Sequence, residues 1–280
     1  SGYPLMFDNF LKEEKKKIIL RNRNFILSKK KSNMSKIRPK YFFPYASYFT
    51  EILKRDSAIK EMNKKNEIIH YKNFCDENKI TILNTQENDE FFFKNETLKK
   101  EAKSKIKPYK DGSPHEYLKN FKLKYSNIND NYIKNYFENS KFYEKLELYL
   151  SLTNDKFKSN NNSYYIDFSK KKILLKKFSK KTLETKYYTN SKNNKLYLKI
   201  RQESFLSTIY NKHPWEDMLI GFSCKVLRKP NIYNAKFWHH FTNIYVSKKR
   251  VGAKLECNNC VSVIQELDKE IFKQDTINNL

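Results

Sequence analysis

Rings constrain this chain more than any other feature. It holds 21 Phe and 20 Tyr in 280 residues, while hydrophobic residues of all kinds reach only 39%. The interior must therefore be built largely from aromatic side chains, each of which buries a large apolar area. That supply argues for an ordered core and against wholesale disorder. With 4 Gly and 7 Pro, collagen-like and Gly/Pro low-complexity architectures are excluded. The sequence contains no apolar run of the length a transmembrane helix needs. It opens without the apolar segment of a signal peptide, so a soluble, cytoplasmic protein is expected.

A formal charge of +26 invites a nucleic-acid reading. Composition weakens it. The chain has 50 Lys against 7 Arg, with 32 Asn and 5 Ala, the pattern of A/T-rich codons rather than of a selected basic face. Arg, which reads phosphate and guanine bidentately, is scarce. The surface will still attract polyanions and anionic small molecules at low salt. Four cysteines, Cys75, Cys224, Cys257 and Cys260, make no disulfide framework and fit a reducing compartment.

Along the chain, the spacing predicts a helix over 8–28, capped by Asp8 or Asn9, with Glu13 and Glu14 where the helix dipole favours negative charge. A basic connection follows over 29–40. Tyr41-Phe42-Phe43 reads as a strand stopped by Pro44, and strand ends of this kind carry ligand sites in α/β folds. Residues 50–78 read as mainly helical, with short strands at 79–83 and 90–94. Tyr and Leu at helical spacing over 132–152 predict one or two amphipathic helices. A hairpin or two edge strands are expected at 164–168 and 172–175. Strict alternation marks Lys195 to Ile200 as a half-buried strand, and Phe222, Cys224 and Val226 as another. Helices are expected at 203–210, 234–245 and 261–274, and Trp215 opens a further element.

The familiar catalytic signatures are missing. Cys257-Asn258-Asn259-Cys260 has the spacing of a zinc knuckle but no second pair. The five histidines form no HxH or HxxxH pattern. No Gly-rich phosphate loop and no GxSxG elbow is present.

Two stretches carry a resemblance. The first runs Ser1-Gly2-Tyr3-Pro4, Asp8-Asn9-Phe10 and Glu13-Glu14-Lys15, then Arg38-Pro39-Lys40-Tyr41-Phe42-Phe43-Pro44-Tyr45-Ala46-Ser47-Tyr48-Phe49 and Asn63-Lys64-Lys65-Asn66. The second is Trp215-Glu216-Asp217-Met218-Leu219-Ile220-Gly221-Phe222, followed by Arg228-Lys229-Pro230-Asn231-Ile232-Tyr233-Asn234. Together they resemble the CMP-N-acetylneuraminate hydroxylases and their bacterial relatives, and the two stretches keep the family's order.

The resemblance implies a multidomain oxidoreductase that inserts oxygen into the N-acetyl group of a nucleotide-linked amino sugar. A Rieske 2Fe-2S cluster and iron would lie in a part upstream of Ser1, because neither Rieske Cys/His pairs nor an HxHxDH motif occurs here. No cofactor is expected within this chain, which would be inactive alone. The expected fold is α/β: residues 1–95 as the closing half of a metallo-β-lactamase-like sandwich, 96–180 as a helical, Lys/Asn-rich insertion, and 181–280 as a small α+β module. Tyr45, Ser47 and Arg228 are the candidate substrate-binding residues. Ala46-Ser47 takes the place where metal-dependent hydrolases of this fold carry a ligand His; Ser47 and Tyr45 would instead hydrogen-bond substrate or metal-bound water, and their alternative role is loop packing. Arg228 can offer one cation to a phosphate or a sialate carboxylate. The competing reading makes it part of a structural turn at Pro230. The expected partners are an anionic sugar nucleotide and an electron-donor protein. Rival readings are a metal-dependent hydrolase of the same fold and a basic nucleic-acid-binding protein.

Overall fold

The computed structural model describes residues 3–43, 53–63, 65–83, 90–95, 97–101 and 113–245. They fall into two compact units, residues 12–117 and residues 3–11 with those from 118 onward, the boundary falling inside a helix over Pro114–Lys124 whose larger part belongs to the second.

The first unit holds α1 (Lys12–Ile37), β1 (Tyr41–Phe42), α2 (Ser57–Met62), α3 (Lys72–Glu77), β2 (Thr81–Ile82), β3 (Glu90–Lys94) and β4 (Thr97–Glu101). β1 and β2 pair in parallel, and β3 and β4 form a hairpin. Met34, Tyr71, Cys75 and Ile80 make the core of this unit, with Leu27, Phe42, Phe74 and Ile82 packed on it. Arg23 ties α1 to the turn before α3. Its Nε donates to Asn66 Oδ1 at 3.2 Å, and Asn66 Nδ2 donates back to the Arg23 carbonyl at 2.9 Å.

α1 differs from the expected helix at both ends. The stretch read as a basic connection continues the helix to Ile37, because Lys propagates a helix well and Met34 anchors its last turns in the core. Arg38 then closes it in the left-handed region at φ 51°, its N–H donating to the Met34 carbonyl at 2.8 Å. At the other end, Asn9 is not a helix cap. Its side chain acts as a strand partner for Arg228: Asn9 Oδ1 accepts from the Arg228 N–H at 2.9 Å, and Asn9 Nδ2 donates to the Arg228 carbonyl at 2.8 Å.

The second unit holds α4 (Pro114–Lys124), α5 (Asp130–Glu138), β5 (Leu146–Thr153), β6 (Ser159–Asp167), β7 (Leu174–Phe178), α6 (Lys180–Tyr188), β8 (Asn194–Arg201), α7 (Gln202–Asn211), α8 (Glu216–Ile220), β9 (Cys224–Lys229) and α9 (Ala235–Asn243). The strands form one sheet in the order β7-β6-β5-β8-β9. β5 and β8 run parallel, and the other neighbours run antiparallel.

Alternation assigns the two faces. Tyr149, Tyr165 and Tyr197 meet Leu183 and Tyr187 of α6 on one. Leu146, Leu148, Leu150 and Leu152 point to the other, where rings supply the core. Phe237 and Phe241 lie 4.8 Å apart between centroids and Trp215 and Phe241 5.0 Å, both tilted, while Phe142 and Phe168 meet edge to face at 5.0 Å. Trp215 is fully buried and donates from Nε1 to Tyr136 Oη at 2.8 Å.

α6 owes its ends to two side chains. Ser179 Oγ accepts from the Thr182 N–H at 3.2 Å as its N-cap. Lys195 is buried, and its ammonium group donates to the carbonyls of Tyr187 at 2.7 Å and of Thr189, closing the C-terminal turn. Burial holds the Lys195 pKa below its ordinary value, against the pull of Glu147.

This sheet changes the expected domain division. The stretch 96–180, expected to be a helical insertion, contributes β5, β6 and β7 to a sheet completed by β8 and β9. Its helical reading fails between Phe142 and Thr153. Leu146, Leu148, Leu150 and Leu152 repeat at two, while Phe142, Leu146 and Tyr149 also fit a helical stripe, so the same residues satisfy both periods.

Two outcomes test this core. Tyr136→Phe leaves the buried Trp215 Nε1 without its acceptor, and urea unfolding should show a loss of about 1–3 kcal/mol. Burial also raises the hydroxyl pKa of Tyr197 from 10.0 to about 12. Unfolded, this group gives up its proton near the lower value; folded, it holds it to the higher one. Stability should be level below that window and fall as pH rises through it. Tyr197→Phe should flatten the fall, measured as the urea midpoint against pH.

Candidate functional site

Adjacent parallel strands open a crevice at their carboxyl ends when the chain leaves them in opposite directions. β5 and β8 meet that condition. After Thr153 the chain turns to β6 on one side, and after Arg201 it passes through α7 and α8 to β9 on the other. Clefts of roughly 300–1,000 Å³ are the scale on which small ligands are held; here the volume is ≈ 580 Å³. Its walls are the 153–160 segment, the start of α7 and the end of α4. The register of β5 against β6 shifts between Ser151 and Thr153, a bulge of the kind that re-aims side chains beside functional sites.

The 154–158 turn is held at several points. Asn154 Oδ1 accepts from the N–H groups of Lys156 at 3.0 Å and Lys158 at 3.1 Å. The Asn154 N–H donates to the Lys158 carbonyl at 3.0 Å, and the Phe157 N–H to the Asn154 carbonyl at 3.0 Å. Phe157 sits in the left-handed region at φ 57°, where glycine is usual and a bulky side chain is strained. Two cations offset the strain. Arg201 Cζ lies 4.8 Å from the Phe157 ring centroid and Lys225 Nζ lies 5.4 Å from it. Arg201, itself buried, also donates from Nη2 to the Asp155 carbonyl at 3.3 Å.

Much of the polar lining is already engaged. Lys122 Nζ lies 2.5 Å from Asp155 Oδ2. Gln202 Nε2 donates to the Ser126 carbonyl at 2.8 Å, and Gln202 Oε1 accepts from Asn160 Nδ2. Thr153 is not engaged: its buried Oγ1 has no hydrogen-bond partner among the described residues.

Of the candidate residues expected from sequence, only Arg228 is among the described residues. Tyr45 and Ser47 fall outside the described residues, as do Cys257, Cys260 and the helix expected at 261–274. Arg228 is buried in β9, where it pairs with Leu196. Its guanidinium lies 4.3 Å from the Phe7 ring centroid and donates to Asn231 Oδ1 at 2.9 Å. This is the geometry of a turn fastened from within, and Arg228 does not line the crevice. Thr153, Lys156 and Lys158 were missed. Asn154-Asp155 after a leucine alternation was the available signal of a turn, but it fell beside residues read as helix.

Among the described residues no group of three or more His, Cys, Asp or Glu could hold a metal ion. They do not fit an iron centre, and no iron chemistry is assigned to them. No described helix is long and apolar enough to cross a membrane.

Comparison with curated proteins now bears on the resemblance. The chain is 26% identical over 258 residues to the cytidine monophosphate-N-acetylneuraminic acid hydroxylase of Macaca mulatta, covering 86% of this chain and 42% of that protein. The chain is similar to the CMP-N-acetylneuraminic acid hydroxylases. The Mus musculus hydroxylase matches at the same identity over 43% of its length. A Homo sapiens protein named as an inactive form of the hydroxylase also matches at 26%, over 49% of its length. The chain thus spans less than half the length of these relatives. No family model matches the chain, and no solved structure matches it.

Phe157 supplies a test of the turn. Phe157→Gly and Phe157→Ala both lose the ring, but only alanine keeps a Cβ in the left-handed region. The glycine variant should be more stable than the alanine variant by about 1 kcal/mol in urea unfolding.

Proposed function

We propose that this chain is part of an oxidoreductase that hydroxylates a nucleotide-linked amino sugar, of the CMP-N-acetylneuraminate hydroxylase type. The observation that carries the reading is a similarity to those hydroxylases reaching across 86% of the chain. It is supported by the run from Trp215 to Asn234, whose Trp215 and Arg228 are both built into the interior of the second unit. On this reading, iron and a Rieske 2Fe-2S cluster belong to polypeptide beyond these 280 residues, and a cytoplasmic electron-donor protein reduces the cluster. The first unit belongs to a metallo-β-lactamase-like sandwich, for which its parallel β1–β2 pair with intervening helices is a compatible fragment. Tyr45 and Ser47 remain proposed substrate contacts, and Arg228 contributes through the turn that it fixes. The net charge of +26 favours approach of an anionic sugar nucleotide at low salt.

The test is an assay of the whole gene product with CMP-N-acetylneuraminate, dioxygen and a reductant, read by mass spectrometry. Gain of one oxygen atom on the N-acetyl group is expected. An unchanged sugar nucleotide, with iron and cluster verified as loaded, would overturn the proposal.

A further inference from the structure

We infer that Thr153, Lys156 and Lys158 form an oxyanion subsite in the β5–β8 crevice, receiving one acidic group of the sugar nucleotide, its phosphate or its carboxylate. The identity of the ligand rests on the proposed function; the oxyanion chemistry rests on the crevice alone.

Asp155 is held by Lys122, and the Gln202 amide is engaged at both its nitrogen and its oxygen. Glu203, which also lines the crevice, is itself engaged, and Lys156, Lys158 and Thr153 remain as donors. Lys156 and Lys158 line the crevice as exposed residues, and their ammonium groups have no ion-pair or hydrogen-bond partner among the described residues. Thr153 lines the same crevice, and its buried Oγ1 has no hydrogen-bond partner among the described residues. A buried hydroxyl without a partner is destabilising, so a group that accepts its hydrogen bond is stabilised in return. Two cations and one hydroxyl donor match an oxyanion and offer little to a neutral or cationic group.

The backbone prepares the arrangement. Asn154 Oδ1 holds the N–H groups of both lysines, and Arg201 fixes Phe157 between them. The amino end of α7, a ten-residue helix, adds its positive dipole through Gln202 and Glu203 at the crevice wall. Of the charged side chains in the lining, Lys122, Lys156 and Lys158 stand against Asp155 and Glu203, leaving positive charge in excess.

The full chain, labelled with ¹⁵N, is titrated separately with CMP, N-acetylneuraminate and, as an uncharged control, cytidine. Amide shifts over 153–158 are expected with at least one of the two anions and not with cytidine. A response to CMP identifies the phosphate, and a response to N-acetylneuraminate the carboxylate. The double substitution Lys156→Gln, Lys158→Gln should weaken that binding about tenfold, with Thr153→Val weakening it less and the circular dichroism unchanged. Silence over 153–158 with both anions, or undiminished affinity in the double lysine variant, would overturn the subsite. The two proposals fail separately. Anion binding here without sugar-nucleotide hydroxylation by the whole protein removes the hydroxylase reading alone. Hydroxylation with an unchanged KM in the lysine variant removes the subsite alone.

Discussion

Parallel pairing between β5 and β8 is the constraint on which the second unit depends. A parallel neighbour cannot be reached by a tight turn, so a crossover must intervene. Here β6, β7 and α6 occupy that interval. The pairing places β5 in the middle of the sheet, where all eight of its residues are buried. Two-sided burial is why leucines fill one face of β5 while Glu147, Tyr149, Ser151 and Thr153 fill the other. The carboxylate of Glu147 is then satisfied by the hydroxyls of Tyr149 and Ser191, each at 2.6 Å. The same pairing opens the crevice, because the chain leaves the two strands on opposite sides.

Rings complete what the strands begin. The core on the leucine face is filled by aromatic residues from α5, α9 and the segments around Phe142, Phe168 and Trp215. Large rings bury much area per residue, which reconciles an ordered interior with a sequence so rich in Lys and Asn. Their polar handles are accommodated as well, as the Tyr164 hydroxyl shows by donating to Asp130 at 2.6 Å.

Legibility in the sequence followed the local signals. The strand expected from the alternation at Lys195 to Ile200 survives as β8, although between β5 and β9 it is buried on both faces rather than half-buried, and the ring-rich stretch after Asn234 survives as α9. β5 was obscured because its leucines also complete a helical spacing begun by Phe142. Asn9 was misassigned for a different reason. Its choice between capping a helix and bridging to Arg228 depends on a partner 219 residues away, which no local pattern records. The crevice was hidden in the same manner. Thr153 and Arg201 become neighbours only through strand register, and an unpartnered hydroxyl has no sequence signature.

Long-range closure also bears on how the chain is made. During synthesis β5, β6 and β7 leave the ribosome as a three-stranded meander before β8 exists. Until α6 has followed and β8 has docked, one flank of β5 shows its unsatisfied amides and carbonyls beside four leucines. Such an edge pairs readily with another copy. On the nascent chain this edge therefore stays open to intermolecular pairing until β8 has emerged and docked, well after Thr153 is made.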